Sequence, residues 1–367
     1  MVQSRSNDVL IVDRNDPRTC RLLSCEVQTP QPGEALLHIE KFGLSSNNVT
    51  YLALGDSMSY QEFFPAPDPG LVSRWCCPPV WGVARVLESA TEELRGEERI
   101  YGFFPAAKFI NLRPAAQSHS GFSVERPHIP DRFSLYNHYS LSTRDPFFSI
   151  GQEELMVVMR PLFLTGLLLA DYLASIECGG ASRLLVSSSA SKTAYGFVHA
   201  MRNAAEVEIL GLASEDGCGT ADSFGLYDQV VPYQELESID CNRPVTYVDV
   251  SGSIPIRERV DRHFAEHLRR VVAVGLTHWT EGTYGGAVPR VSAPSEIFFA
   301  PTWSEKRIGN DGSAFVTKLM DGWNAQLRDA AEQFQLNHVQ GPDALEASWR
   351  DLAHGRVNPS LALVHSL

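Results

Sequence analysis

Two kinds of hydrophobic pattern divide the chain near residue 153. Residues 9–110 contain short runs in which apolar and polar residues alternate, such as EALLHIE at 34–40, separated by Pro, Gly and Asn. This alternation predicts β-strands with one buried face. From 153 onward, helical patterns and short apolar runs follow one another, which predicts an α/β unit with a parallel sheet and helices on both faces.

Each predicted element of the second part has a defined range. Helices are expected at 154–173, 193–203 and 256–268, and strands at 183–187, 207–212, 246–250 and 271–275. Between the two parts, residues 112–153 are dense in Pro, Ser, aromatic residues and His without a clear period. That length is unusual for a connection, so we expect an irregular lid or interdomain loop there.

A strand, a turn of small residues and a helix are expected at 184–201 (LLVSSSASKTAYGFVHAM). Such a junction points backbone N–H groups and the positive end of a helix dipole at one place, which suits a dinucleotide pyrophosphate. The usual glycines are missing, since none occurs between Leu184 and Tyr195. The nucleotide hypothesis therefore depends on the position of the turn in the fold.

Composition limits the class of protein. With 44% hydrophobic and 20% charged residues among 367, the chain is globular, and its net charge of −13 disfavours nucleic acid or an anionic membrane as the main partner. Residues 1–8 contain no apolar h-region and no later apolar run reaches the length of a membrane span, so neither a signal peptide nor a membrane span is expected. Seven cysteines without Cys-x-x-Cys spacing predict reduced thiols in a cytoplasmic protein, with Cys76 and Cys77 a buried structural pair rather than a redox pair.

Several segments carry a resemblance to a known family. They are GEALLHIEKFGL at 33–44, GEERIYG at 96–102 and ASWRDLAHGRV at 347–357. Together they resemble the opening strand, the barrel turn and the closing helix of the medium-chain dehydrogenase/reductase superfamily, in its zinc-free, quinone-reductase-like branch. NNVTY at 47–51, WGVAR at 81–85, RPL at 160–162, YDQV at 227–230 and GLTHW at 275–279 are similar to its uncharacterised DUF2855 subgroup.

The resemblance implies an architecture. It implies a GroES-like β-barrel substrate domain at 1–155 with the insert at 112–153, a Rossmann nucleotide-binding domain at 156–310, and a C-terminal segment at 311–367 that returns to the first domain. A homodimer is expected because many relatives pair the edge strands of their Rossmann sheets.

The same resemblance assigns residues to a nicotinamide cofactor. Ser188, Ser191 and Ala194 stand where relatives have glycines, and Lys192 and Thr193 follow at the helix N-terminus. After the second strand, Ser214 is compatible with the 2′-phosphate of NADPH whereas Glu215 opposes it. NADPH is therefore expected slightly ahead of NADH.

Polar groups in three segments are the candidate substrate site, which the family fold would bring to one cleft. They are Asn47, Asn48 and Tyr51, then Tyr136, Asn137 and Tyr139 of the insert, then Thr277, His278 and Trp279 after a Rossmann strand. His278, Tyr51 and Tyr136 are the candidate catalytic acids. The competing interpretation is that these Asn and Tyr side chains close turns and pack. Pairs of phenylalanines at 63–64, 103–104 and 147–148 would line an apolar pocket or fill the barrel core.

No metal site is expected. The zinc ligands of alcohol dehydrogenases are replaced here by Ser45, Ser46 and Asn48 at the first position and by Trp81 and Gly82 near the second. The motif Ser189-x-x-Lys192 also matches a serine nucleophile with a lysine base, but its accompanying motifs are missing.

Two functional hypotheses remain open. The first is an NAD(P)H-dependent reductase that acts on a carbonyl or activated alkene of a small organic, aromatic or acyl, substrate. The second is a redox-neutral, cofactor-independent lyase or hydrolase of a β-dicarbonyl substrate on the same scaffold. A non-catalytic binding subunit is a third and weaker hypothesis.

Overall fold

The computed structural model describes residues 5–53, 59–130, 135–274 and 291–367. The chain divides into two compact units. The first comprises Met1–Val158, Leu336–Val357 and Leu361–Leu367, and the second comprises Met159–Gln335 and Asn358–Ser360. The finer three-part division expected from the sequence stays a prediction.

The regular elements of the described chain are mostly strands in the first unit, and strands alternating with helices in the second. The strands are β1 (Ser6–Asp13), β2 (Cys20–Glu26), β3 (Ala35–Leu44), β4 (Trp75–Cys76), β5 (Pro79–Ser89), β6 (Arg99–Pro105), β7 (Phe109–Leu112), β8 (Pro114–Gln117), β9 (Gly121–Val124), β10 (His138–Leu141), β11 (Arg183–Ser187), β12 (Glu208–Ala213), β13 (Gln229–Pro232), β14 (Val245–Asp249), β15 (Leu268–Ala273), β16 (Ser295–Ile297), β17 (Gln335–Gln340) and β18 (Leu361–Ser366). The helices are α1 (Ser46–Ala53), α2 (Glu153–Ser175), α3 (Lys192–Arg202), α4 (Glu215–Ser223), α5 (Ile254–Phe264), α6 (Ala300–Gln333) and α7 (Pro342–Ala353).

The first unit is β-rich, as the alternating pattern predicts. Within its described residues, one sheet has the order β2-β1-β4, and a larger one has the order β17-β18-β3-β5-β6-β10-β9-β8, with β7 also paired to β3. The long central strands β3, β5 and β6 pair antiparallel and hold the apolar side chains that the alternation places on one face.

The second unit contains a parallel sheet. Its described strands have the order β13-β12-β11-β14-β15-β16, and every neighbouring pair is parallel. Counted from β11, this is the order 3-2-1-4-5-6 of a doubly wound nucleotide-binding sheet. Strands buried on both faces read as apolar runs, and β11 is fully buried along its length. The predicted α/β class and parallel sheet are confirmed.

The expected irregular insert at 112–153 is corrected by the structure. Its described residues form β8, β9 and β10, which extend the larger sheet of the first unit. The strands approach closely at Gly121, where an added Cβ would lie 1.9 Å from the carbonyl oxygen of Tyr139. Each of these strands has only four residues. A period-two pattern cannot be recognised over so short a run.

Several helices also differ from the sequence expectation. The helix expected at 256–268 is observed at Ile254–Phe264. A single 3-10 turn follows it, and Leu268 already belongs to strand β15. Helix α6, with 34 residues, has no counterpart among the predicted elements. Its hydrophobic period is interrupted near Gly312, where φ is 57° and the helix kinks.

Helix α2 is the one described helix that is long and apolar enough to cross a membrane by length and composition. Its most apolar 18-residue window has a mean hydropathy of 1.5, and 67% of that window is buried inside the protein. Burial to this extent is also found in the core helix of a globular domain.

Helices α2 and α3 cross at two glycines of the second unit. A Cβ added at Gly166 would lie 2.4 Å from the backbone nitrogen of Phe197, and one added at Gly196 would lie 2.9 Å from the ring of Phe163. Gln326 of α6 donates a hydrogen bond of 2.6 Å to the carbonyl oxygen of Gly196. The helix that follows the predicted nucleotide turn is therefore held by contact between backbones.

We predict that Gly166→Ala lowers the free energy of unfolding by about 1–3 kcal/mol, because the new methyl group meets backbone atoms that cannot rotate away. Urea denaturation measures the change. Gly219→Ala in α4 is the matched control, since nothing lies within 4 Å of its added Cβ. That change is expected to be neutral or to stabilise by up to about 1 kcal/mol. Equal effects of the two substitutions would contradict the close crossing.

Candidate functional site

The predicted nucleotide turn joins β11 to α3 at the carboxyl end of the central parallel strand. Its first residue, Ser188, has φ 50°, in the left-handed region that glycine adopts most readily. The Ser188 backbone N–H donates a hydrogen bond of 2.7 Å to the hydroxyl oxygen of Tyr233. The turn thus keeps a glycine-like conformation at a serine.

Ser191 is the N-cap of α3. Its Oγ accepts a hydrogen bond of 3.2 Å from the N–H of Ala194, and its backbone is extended. The amides of Lys192 and Thr193 are the first two of the helix, where N–H groups have no acceptor within the helix. Together with the helix dipole they form the kind of group that binds phosphate.

Lys192 lies apart from solvent, with 8% of its surface exposed. Its Nζ donates a hydrogen bond of 2.7 Å to the carbonyl oxygen of Pro359 and lies 5.3 Å from the centre of the Phe334 ring. Burial lowers the pKa of Lys192 to about 7. The phosphate contact expected of this side chain stays a prediction.

Ser189, between these groups, is fully buried. Its carbonyl oxygen accepts a hydrogen bond of 2.9 Å from the Tyr227 hydroxyl, while its own Oγ has no hydrogen-bond partner among the described residues. An added Cβ at Gly211 of the neighbouring strand β12 would lie 2.8 Å from the Cβ of Ser189. The small residues Ser189 in the turn and Gly211 on β12 therefore allow the turn to lie close to β12.

At the end of β12 the structure places the predicted cofactor-selecting residues at the surface. Ser214 is the N-cap of α4 without a side-chain capping bond, and Glu215 and Asp216 occupy the first turn of that helix. All three are exposed. In the described chain no cation forms an ion pair with either carboxylate.

A buried network at the end of β14 was not predicted from the sequence. Oδ2 of Asp249 accepts hydrogen bonds from Nε and Nη2 of Arg257 at 3.0 and 2.7 Å. Its Oδ1 accepts bonds from the hydroxyls of Ser187 and Ser251 at 3.1 and 2.8 Å and from the amide of Gly252 at 2.9 Å. Asp249 is completely buried and Arg257 nearly so. The Asp249 carboxylate therefore connects the last residue of β11 to the loop after β14.

In the first unit the structure brings together two predicted catalytic groups, Tyr51 and Tyr136. Their rings are 6.4 Å apart at the centroids, and both pack on Phe103. The Tyr136 hydroxyl accepts a hydrogen bond of 2.9 Å from Tyr60, and the Tyr51 hydroxyl accepts one of 3.2 Å from Trp81 Nε1. We call Tyr51, Tyr60, Phe63, Trp81, Phe103 and Tyr136 the aromatic cluster.

Burial keeps the phenols of this cluster protonated. Desolvation raises the pKa of Tyr51 to about 12, although its hydrogen bonds with Trp81 and Asn47 lower that pKa in part. Desolvation also raises the pKa of Tyr136. Each hydroxyl is therefore a proton donor at neutral pH and does not act there as a phenolate base.

The predicted asparagines have different surroundings. Asn48 closes a turn, because its Oδ1 accepts a hydrogen bond from the Ser45 amide and its Nδ2 donates to the carbonyl of Pro79. Asn137 is half-buried and accepts a hydrogen bond of 2.7 Å from Arg126. The geometry of Asn48 agrees with the competing, structural interpretation. Thr277, His278 and Trp279 lie outside the described residues.

The phenylalanine and cysteine pairs are largely core. Within 63–64 and 103–104 all four phenylalanines are buried, whereas those at 147–148 are half-buried. Cys76 and Cys77 are buried free thiols, and burial raises the pKa of Cys76 to about 12. A thiolate is the reactive form, so neither environment favours redox chemistry.

Metal-ligating side chains do not gather in the part of the chain that the structure describes. No group of three or more His, Cys, Asp or Glu residues with suitable geometry occurs among those residues. Ser45 and Asn48, at the first of the positions compared with zinc enzymes, hydrogen-bond each other within a turn.

Solved structures with the same architecture identify the class of fold. CurA from Vibrio vulnificus in complex with NADPH has a TM-score of 0.59 at 15% identity, covering 98% of both chains. A quinone oxidoreductase from Coxiella burnetii has a TM-score of 0.53 at 11% identity, covering 99% of this chain and 100% of its own. The yhdH oxidoreductase from Salmonella enterica in complex with NADP has a TM-score of 0.52 at 11% identity, covering 98% and 99%.

The fold is that of the medium-chain dehydrogenase/reductase superfamily, a GroES-like barrel with a Rossmann domain, as the sequence resemblance predicted. Within it, a family model described as "Protein of unknown function (DUF2855)" matches residues 42–358. The chain belongs to that family. No curated protein matches it.

We predict that Asp249→Asn lowers the free energy of unfolding by about 3–5 kcal/mol, because it removes the buried carboxylate with which Arg257 is paired. Chemical denaturation followed by circular dichroism measures the loss. The double variant Asp249→Leu with Arg257→Met removes both charges and is expected to recover much of the stability. A single variant within about 1 kcal/mol of the natural protein would contradict this role.

Proposed function

We propose that the protein is an NAD(P)H-dependent reductase of a carbonyl or activated alkene, acting on a small aromatic or acyl substrate. The observation that carries the proposal is the turn at Ser188. It lies at the carboxyl end of the central strand of a 3-2-1-4-5-6 sheet and leads directly into the N-terminus of α3. In such sheets the dinucleotide binds at this place.

The residues at the turn suit the pyrophosphate of a nicotinamide nucleotide. The backbone amides of Lys192 and Thr193 supply hydrogen-bond donors for the phosphate oxygens without any side chain. The serines at 188 and 191 are small enough to let the phosphate approach the backbone closely. The proposal is supported by CurA, which was solved with NADPH, and by the yhdH oxidoreductase, which was solved with NADP. When bound, the nucleotide supplies the hydride.

NADPH is proposed ahead of NADH because those two structures hold the phosphorylated cofactor. Ser214 at the end of β12 would face the adenosine ribose. The exposed carboxylates of Glu215 and Asp216 would repel a 2′-phosphate and make the preference small. The proposed reaction uses no metal ion, and a cytoplasmic homodimer is proposed for the assembly.

For the proton of the reaction we propose Tyr51 and Tyr136, together with His278. The two tyrosines hold their protons at neutral pH, and their hydroxyls belong to one buried cluster. A developing alkoxide or enolate is more basic than a phenolate in water, so a phenol can protonate it. Asn47 is proposed to contact the substrate, and its side-chain hydrogen bond lowers the pKa of Tyr51. Asn137, Thr277 and Trp279 are proposed to contact the substrate.

One observation favours the second hypothesis, a redox-neutral lyase or hydrolase. At the turn, the Ser188 amide is bonded to Tyr233, and the Lys192 ammonium is bonded to Pro359. Two of the groups that would bind phosphate therefore already have partners within the protein. On this hypothesis the same tyrosines and His278 transfer protons without a nucleotide.

We predict saturable binding of NADPH or NADH, seen as a rise in melting temperature and a change in nicotinamide fluorescence. Ser191→Glu is expected to weaken that binding at least about tenfold, because a carboxylate at the N-cap occupies and repels the phosphate position. Ser223→Glu, at the C-terminal end of the different helix α4, is the matched control for an added charge. Absence of binding by both nucleotides, or equal weakening by both variants, would overturn the reductase in favour of the redox-neutral hypothesis.

We predict that Tyr51→Phe lowers kcat of NADPH consumption about a hundredfold or more, with a small change in KM, in assays with quinones and α,β-unsaturated ketones. Since the pKa of Tyr51 is about 12, the natural protein should show no loss of rate from this group as the pH rises to about 10. Tyr195→Phe, which removes the hydroxyl of a buried tyrosine in the second unit, is the control. A kcat for Tyr51→Phe equal to that of the control would remove Tyr51 from the mechanism.

A further inference from the structure

Arg126 lies between β9 and β10 of the first unit and is half-buried. Nη1 donates a hydrogen bond of 2.7 Å to Oδ1 of Asn137, and Nη2 donates one of 3.0 Å to the hydroxyl of Tyr139. The guanidinium carbon lies 5.8 Å from the ring centre of Phe63 and 5.2 Å from that of Phe64. All these partners are neutral.

Other arginines of the same unit are placed differently. Most of them pair with a carboxylate, as Arg5 does with Glu88, Arg14 with Glu62, Arg74 with Asp13, Arg85 and Arg99 with Glu40, and Arg113 with Glu34. Among the described residues no carboxylate lies within ion-pair distance of Arg126. The chain has 44 acidic residues against 31 basic ones, so acidic partners are plentiful. A half-buried cation is costly without an anion, and the contacts of this one within the described chain are with dipoles and aromatic faces.

The position of Arg126 connects it to the candidate proton donors. Phe63, beneath the guanidinium, also packs against Tyr136 with ring centres 5.9 Å apart. Asn137, which accepts from Nη1, is the next residue after Tyr136. The cation thus borders the aromatic cluster on the side of Tyr136.

We infer that Arg126 binds the carboxylate of the substrate, and that the substrate class is a small aromatic or acyl carboxylic acid. A guanidinium has five N–H donors, of which two are used by Asn137 and Tyr139. The others can form a charge-assisted pair with an anion. Phe63 and Phe64 are buried beneath the guanidinium and support it from that side. That the bound acid is the substrate rests on the proposed reductase function, whereas its binding to Arg126 does not.

The test compares trans-cinnamate with trans-cinnamamide, which has the same shape without the charge. Binding to the full chain is measured by isothermal titration calorimetry without any nucleotide. We expect the acid to bind at least about tenfold more tightly than the amide. Arg126→Gln should reduce the ratio to about one, and Arg126→Lys should keep part of it because the charge remains while the planar fork is lost. Arg144→Gln, an exposed arginine of the same insert, should leave the ratio unchanged.

Three outcomes would overturn the inference. They are absence of saturable cinnamate binding up to about 10 mM, equal binding of acid and amide by the natural protein, and a preference for the acid that persists in a folded Arg126→Gln variant. Melting curves establish whether each variant is folded. If Arg126→Gln does not fold, Arg126→Lys replaces it in the comparison of acid and amide. Because no nucleotide is present, failure here is separate from failure of the reductase proposal, which the nucleotide titration decides.

Discussion

The ion pair of Asp249 and Arg257 is the constraint on which the carboxyl end of the parallel sheet depends. A fully buried carboxylate is tolerated only when its lone pairs are satisfied, and here two guanidinium N–H groups, hydroxyls and an amide do so. Ser187 donates to this carboxylate while its Oγ accepts from the amides of Val250 and Ser251 at 3.0 Å. The last residue of β11 is thereby fixed to the loop after β14, and the proposed nucleotide turn begins at the next residue.

This constraint explains how the turn keeps its shape without glycine. A serine at φ 50° costs roughly 1–3 kcal/mol and persists only where its surroundings determine the conformation. Ser187 fixes one side of Ser188, and the bond from the Ser188 amide to Tyr233 fixes the other. The loss of the usual glycines is thus offset by two contacts, each from a different part of the second unit.

The sequence predicts what depends on local pattern. Apolar runs and a capped helix start identify β11 and α3 within a residue, and the order of elements leads to the correct fold. Helix α6 is not predicted because Gly312 breaks its period, and β8 to β10 are too short to show one. The hydrogen bonds of the Asp249 network join residues separated by up to 64 positions, so no local signal reveals it. The meeting of Tyr51 with Tyr136 likewise depends on the tertiary fold, although both residues were candidates.

The identity to the three solved structures is only between 11% and 15%, and this indicates which part of the proposed nucleotide site a fold can retain. Glycines and selective side chains change with sequence, whereas N-terminal amides and a helix dipole persist wherever a helix starts after the central strand. Lys192 and Thr193 offer those amides whatever their side chains contact. Bonding of the Lys192 ammonium to Pro359 therefore leaves the backbone groups free for phosphate, and the proposed nucleotide binding depends on main-chain donors that the fold itself positions.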